Sequence, residues 1–201
     1  YGGGGNDVST GVEIAKEAAQ YDMKVLLDFH YSDFWAEPAV QLVPKAWKKD
    51  VNNTEKMCSD VYDFTKESIQ KFKDAGANIG MVQVGNEITN GLLGIYSNRD
   101  KGESFNVIWG DKKKSTEVNK YLKAGIKAVR EYTPQALVAL HLETPNVWKY
   151  KTIMNTWKRD NVDYDVLGSS YYPFWSIAAK ANTPKTLKDV QTLAASYGKM
   201  F

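Results

Sequence analysis

Four short apolar runs alternate with longer stretches that turn apolar every third or fourth residue, and this alternation restricts the fold more than any other feature of the chain. Residues 24–30, 79–84, 136–141 and 164–171 read as strands, and Met200-Phe201 opens another. Before the first strand, Val8, Val12, Ala15 and Ala19 line one helical face, with Thr10 and Glu13 at capping-box spacing. A second helix runs over about 54–75, with Val61, Phe64, Ser68 and Phe72 inward and Gly76 as its stop. Ser115 is placed to cap a third, whose face is Val118, Tyr121, Leu122, Gly125 and Val129, and Pro134 breaks it. Val147, Tyr150, Met154 and Trp157 mark a shorter helix; Leu187, Val190, Ala194 and Tyr197 mark the last, closed by Gly198.

Continuous apolar strands alternating with helices imply a parallel sheet covered by helices, hence an α/β fold. Two architectures compete, a doubly wound sheet and a (β/α)8 TIM barrel. No glycine-rich phosphate loop joins a strand to a helix, since the opening glycines follow no strand. Polar and aromatic residues instead gather at the C-terminal ends of the strands: His30, Asn86-Glu87, His141 and Tyr171-Tyr172. Barrels build their active sites on that rim, and the two longest loops, about 31–53 and 91–114, also follow strands. The expectation is an incomplete barrel of about four βα units. Residues 1–201 then form a single partial domain, cut at both ends from a longer protein, since the chain opens without Met and stops on an apolar pair.

The net charge of +2, with both signs interspersed, offers no electrostatic footprint for nucleic acid or an anionic membrane. No apolar run is long enough to span a bilayer, and the single cysteine, Cys58, excludes an internal disulfide. Six tryptophans and twelve tyrosines are many for this length. Trp157 and Tyr121 fall at core positions, whereas Tyr31, Phe34, Trp35, Trp47, Tyr171, Tyr172, Phe174 and Trp175 follow strands beside polar residues. Rings beside hydrogen-bonding groups suit the C–H faces and hydroxyl rims of sugars.

The sharpest local signal is the strand of Ile79, Met81, Val82 and Val84, which ends in Asn86-Glu87. A carboxylate there is costly to bury without a partner or substrate. A lone glutamate in such a place caps a helix or pairs with a lysine; several strands ending alike favour a site. His30 and His141, the only histidines, both fall on the rim. They lack the closely spaced companions of a metal site, so neither a metal nor a cofactor enters this reading. Asp33 either binds hydroxyls or caps its own loop, and Trp35 beside it can stack on a ring. Tyr171 and Tyr172 point to opposite faces if the strand continues, leaving one for the site. Glu143 is the rival for a second carboxylate but reads as a surface loop residue.

Three segments carry a resemblance: Leu27-Asp28-Phe29-His30-Tyr31-Ser32-Asp33-Phe34-Trp35-Ala36-Glu37-Pro38, Pro44-Lys45-Ala46-Trp47 and Val82-Gln83-Val84-Gly85-Asn86-Glu87-Ile88-Thr89-Asn90-Gly91. With the opening Tyr1-Gly2-Gly3-Gly4 and Ser170-Tyr171-Tyr172-Pro173-Phe174-Trp175, the chain resembles the arabinogalactan endo-β-1,4-galactanases of glycoside hydrolase family 53. The resemblance implies roughly strands 3 to 6 of the barrel with the start of strand 7. It also implies a secreted enzyme that cleaves β-1,4-galactan by a retaining, two-carboxylate route. Glu87 would be the acid/base and Asn86 the partner of the sugar's 2-hydroxyl. The nucleophile, a glutamate on strand 7, would fall beyond Phe201. The alternative is a galactan-binding barrel that has lost its second carboxylate.

Overall fold

A computed structural model describes residues 5–172 and 183–201. Tyr1 to Gly4 and Pro173-Phe174-Trp175 of the resemblance lie outside the described residues. The elements alternate as the apolar pattern requires. Helix α1 (Val8–Gln20) leads into strand β1 (Lys24–Phe29); helix α2 (Thr54–Asp74) leads into β2 (Asn78–Val84). A two-stranded hairpin, β3 (Gly91–Leu92) and β4 (Ile95–Tyr96), and the short helix α3 (Asn106–Trp109) fill the loop that follows. Helix α4 (Lys112–Tyr132) then precedes β5 (Leu137–Leu142), α5 (Val147–Arg159) precedes β6 (Val166–Ser169), and α6 (Pro184–Ser196) comes last.

Strands β1, β2, β5 and β6 form one parallel sheet in chain order, and Met200 adds a parallel bridge to Val166. A doubly wound sheet reverses its strand order at a switch point, and none occurs among the described residues. Each strand instead lies beside its predecessor, the arrangement of a barrel wall.

Period-two alternation divides each strand between two faces. Leu27 and Phe29, Val82 and Val84, and Val138, Leu140 and Leu142 are buried against the helices. They join Met57, Val61 and Ile69 of α2, Val118, Leu122 and Val129 of α4, and Tyr150, Met154 and Trp157 of α5 in one core. The opposite face carries Leu26 and Asp28, Met81 and Gln83, and Ala139 and His141, so the strands are not apolar on both sides.

Three local expectations are corrected. Asp7, not Thr10, caps α1, its carboxylate accepting the Thr10 N–H at 2.8 Å, while Glu13 pairs with Lys16. Asp111 caps α4 by accepting from Lys113 and Lys114, and Ser115 lies one turn inside with its hydroxyl on the Asp111 carbonyl. In both cases an earlier aspartate supplies the same acceptor, and cap chemistry alone does not choose between them. The rim aromatics divide as well. Tyr31 is buried and Trp47 half-buried, packed with Phe29 and Phe64 at centroid distances of 5.8–6.4 Å. The Tyr31 hydroxyl bonds Thr65 Oγ1 on α2, so this cluster is core and not a sugar platform.

Candidate active site

The C-terminal ends of the four strands bring Asp28 and His30, Gln83, Asn86 and Glu87, His141, and Ser170 together on the non-helical face. The register sets this up, since Asp28 pairs with Gln83 and His141 with Gly168.

The hydrogen bonds fix each group's orientation. His30 Nδ1 accepts the Ala36 N–H at 3.0 Å, so its proton sits on Nε2, 3.3 Å from Asp28 Oδ2. Gln83 Nε2 donates to Asp28 Oδ1 at 2.5 Å and to Asn86 Oδ1 at 3.2 Å. Asn86 Nδ2 donates to the Ala36 carbonyl at 2.8 Å, which fixes the amide, because a flip would set two oxygens face to face. Asn86 Oδ1 also lies 2.9 Å from His141 Nδ1, so that nitrogen carries a proton; the Glu87 N–H approaches it at a longer 3.3 Å. On the far side of the ring, His141 Nε2 is 3.0 Å from Ser170 Oγ, which hydrogen-bonds Glu87 Oε1. Gln41, buried in the loop after β1, donates to the Asn86 carbonyl at 2.9 Å and pins the strand end from outside.

Burial is the main cause that pushes the Glu87 carboxyl above the ordinary carboxylate range. The negative charges of Glu143 and Glu37 push the same way, whereas the Ser170 hydrogen bond and His30 oppose them. Burial is the main cause that pushes His141 below the ordinary imidazole value, with His30 acting the same way, although Asp28 and Glu143 pull upward. A protonated carboxyl beside a fixed amide can give a proton to a leaving oxygen while the amide grips a hydroxyl.

Of the residues singled out in the sequence, His30, Asn86, Glu87 and His141 meet here. Asp33 does not: its carboxylate accepts the Lys45 N–H at 2.7 Å and closes its own loop. Trp35 is 64% exposed, and Tyr171 and Tyr172, 42% and 57% exposed, follow β6 rather than continue it. Glu143 is not a free surface residue. Its side chain is 18% exposed and paired at 3.0 Å with Lys149, itself 14% exposed. Sequence reasoning gave no role to Asp28, Gln83 or Ser170. The signal was present, for Asp28 and Gln83 are polar residues inside otherwise apolar strands. Among the described residues, no group of three or more histidines, cysteines and acids is placed to hold a metal ion.

A family model described as "Glycosyl hydrolase family 53" matches residues 1–200. The chain is 44% identical over 200 residues to an endo-β-1,4-galactanase of Bacillus subtilis, covering 99% of this chain and 41% of that protein. It is 32% identical to an arabinogalactan endo-β-1,4-galactanase of Cellvibrio japonicus, covering 92% of this chain and 46% of the other. Among solved structures, the Ignisphaera aggregans GH53 catalytic domain superposes with a TM-score of 0.81 at 31% identity, over 99% of this chain and 50% of that one. A structure of fungal β-1,4-galactanases gives 0.78 at 26%, over 98% and 56%. Both are TIM barrels, and this chain spans about half the length of the relatives it matches.

Proposed function

The chain belongs to glycosyl hydrolase family 53, and from that premise we propose that the protein carrying it cleaves β-1,4-galactosidic linkages inside galactan chains of type I arabinogalactan, with retention of configuration. Glu87 is the acid/base in this reading. The observation that carries it is the position of the Glu87 carboxyl: at a strand's C-terminal end, half-buried, facing two further carboxylates and beside the fixed Asn86 amide. The galactanase names of the relatives supply the substrate.

Retaining cleavage passes through an oxocarbenium-like transition state between two carboxyl groups about 5–5.5 Å apart. Glu87 protonates the leaving oxygen as the glycosidic bond breaks, then as a carboxylate takes a proton from the water that releases the sugar. Asn86 uses one amide hydrogen on Ala36 and has a second for a sugar hydroxyl. Glu143, held by Lys149, adjusts the acid and does not attack. The nucleophile is assigned to the portion of the relatives' length that this chain does not span. A polymeric substrate too large to enter a cell places the enzyme outside it, and residues 1–201 contribute to one barrel domain.

The test is Glu87→Ala in the intact enzyme. Galactan turnover should fall by about 10²–10⁴, the usual share of general acid–base catalysis. Aryl galactosides with good leaving groups should still form the covalent intermediate, and added azide should release it as the β-galactosyl azide. An α-configured azide would make Glu87 the nucleophile. An unchanged galactan rate would remove it from the site.

A further inference from the structure

The Ser170 hydroxyl touches both ionisable groups at the centre of the site. It hydrogen-bonds Glu87 Oε1 and lies 3.0 Å from His141 Nε2. A hydroxyl has a single hydrogen, so it donates to one of these partners at a time. Asn86 decides what the imidazole can offer in return, because its fixed Oδ1, 2.9 Å away, holds a proton on His141 Nδ1.

With the proton that the shorter Asn86 contact holds on His141 Nδ1, which leaves the 3.3 Å Glu87 N–H without that acceptor, two arrangements satisfy the contacts of Ser170 and Asn86. In the first, Glu87 is protonated and donates to Ser170 Oγ, Ser170 donates to His141 Nε2, and neutral His141 donates from Nδ1 to Asn86. In the second, the Glu87 proton has passed to Ser170 Oγ as Ser170's own proton passed to Nε2. Glu87 is then a carboxylate, His141 an imidazolium, and both donor directions at Ser170 are reversed while Nδ1 still donates to Asn86. The proton count is the same in both. A carboxylate beside an imidazole whose one proton is on Nδ1 does not fit: Ser170 turns to Glu87, and two lone pairs face each other across 3.0 Å, so ionisation of Glu87 calls for a proton at Nε2.

We propose that Ser170 is a positioning residue that couples Glu87 and His141 into one unit holding a single proton, so that the ionisation of Glu87 is registered at His141 Nε2. This deepens the acid/base reading of Glu87 and rests on it for its catalytic meaning. When Glu87 gives its proton to the leaving oxygen, the chain is left in the one arrangement that does not fit. Recapture of a proton from the incoming water restores it.

The charged and titratable groups around the pair come from each neighbouring element. Glu143 after β5 and Glu37 after β1 face Glu87, as does His30; Asp28, His30 and Glu143 face His141. Lys149 faces Glu143, and the Tyr150 hydroxyl senses both Glu143 and Glu87 while bonded to Ser169. None of these touches both Glu87 and Nε2, so the coupling is assigned to the serine.

The experiment follows the side-chain ¹⁵N shifts of His141 against pH in the intact enzyme, with kcat and KM on galactan. The parent should show an inflection at Nε2 that coincides with the basic limb of its rate profile. Glu87→Gln should lack that inflection. Ser170→Ala should lose it too, with kcat down about tenfold, the loss of one hydrogen bond to the acid, and KM within about twofold. Ser170→Thr, which keeps the hydroxyl, should restore both. A parent without the inflection, a Glu87→Gln protein that keeps it, or a Ser170→Ala protein that loses activity while keeping it, each overturns the proposal. If Ser170→Ala fails to fold, the parent and Glu87→Gln titrations still decide. Since the shifts are read without turnover, a failure of the galactanase reading shows separately, as Glu87→Ala leaving galactan cleavage unchanged.

Discussion

Gly125 lies where helix α4 packs directly against Val84 and Tyr31, at the ends of β2 and β1, which makes Gly125→Ala an informative perturbation. A Cβ there would stand 2.7 Å from the Tyr31 hydroxyl and 2.9 Å from Val84 Cγ1. Neither neighbour has room to move. Val84 is fully buried, and Tyr31, 4% exposed, is held by Thr65 at 2.8 Å. Overpacking of this kind costs about 1–3 kcal/mol, and displacing the tyrosine adds about 1 kcal/mol for its hydrogen bond. The gain from replacing glycine inside a helix returns about 1 kcal/mol. The net expectation is a loss of about 1–3 kcal/mol in urea denaturation of the intact protein. Tyr31→Phe removes the atom at 2.7 Å and leaves Thr65 bonded to the Val61 carbonyl. The double variant should therefore recover at least about 0.5 kcal/mol relative to additivity. If Gly125→Ala instead stabilises the protein, as it does at an open helical site, or if the two changes add, the close approach is wrong.

Three further outcomes follow from the same geometry. The pKa of Asp160, at the C-terminus of α5, is held down at about 2 by Arg159, Asn119 and Thr116, so its contribution to stability is present above the unfolded value and lost as pH falls toward 2. Asp160→Asn should cost about 1 kcal/mol at neutral pH, discounted for partial exposure, and much less at the acid end; an equal cost at both would exclude the ionic origin. Glu143→Gln removes a charge that pushes Glu87 upward and leaves the Lys149 cation unpaired, so the basic limb of the galactan rate profile should move to lower pH, and an unmoved limb would show that Glu143 does not act on the acid. Trp35→Ala should raise KM for galactan by roughly tenfold, the scale of one aromatic stacking contact, with the thermal midpoint unchanged; an equal loss on a small aryl galactoside would deny it a place along the polymer.

The fold was legible because burial imposes a period, and both periods stand clearly in this chain. The helix-facing residues Val82, Val84, Val138 and Leu140 mark the strands, and Tyr121, Leu122 and Val129 mark the helix that covers them. The other face of the sheet was harder to read. Asp28 and Gln83 interrupt apolar strands at alternate positions, and in an incomplete sheet pattern such residues read as noise until the register sets them side by side. Ser170 was further from reach. Nothing local separates a serine that ends a strand from one that bridges two ionisable groups, and its partners lie 83 and 29 residues away. The same holds for Glu143, whose lysine neighbour is six residues on, across the turn that opens α5.

The backbone adds a reason why the site forms at these strand ends. Among the described residues, six that are not glycine have left-handed φ values. Asp22 and Asn161 follow the C-caps of α1 and α5, where their side chains tolerate that conformation. Leu93, with Gly94, makes the two-residue turn between β3 and β4. The other three are Tyr31, Glu87 and Thr144, at φ of 50°, 48° and 49°, each two or three residues beyond the end of β1, β2 or β5. Such a conformation costs about 1–2 kcal/mol for a residue with a side chain, and it persists where surrounding bonds over-determine it. Those bonds run between the loops: Gly85 N–H to the Phe29 carbonyl at 3.0 Å, Glu143 N–H to Thr89 Oγ1 at 2.8 Å, and Trp109 Nε1–H to the Thr89 carbonyl at 2.6 Å. Three adjacent strands therefore leave the sheet by the same reversal, each braced against the next. The reversal at Tyr31 turns that ring back into the core, where it meets Gly125. At Glu87 it keeps the carboxyl over the polar face, against Ser170 and beside His141, instead of letting it follow the chain out to solvent.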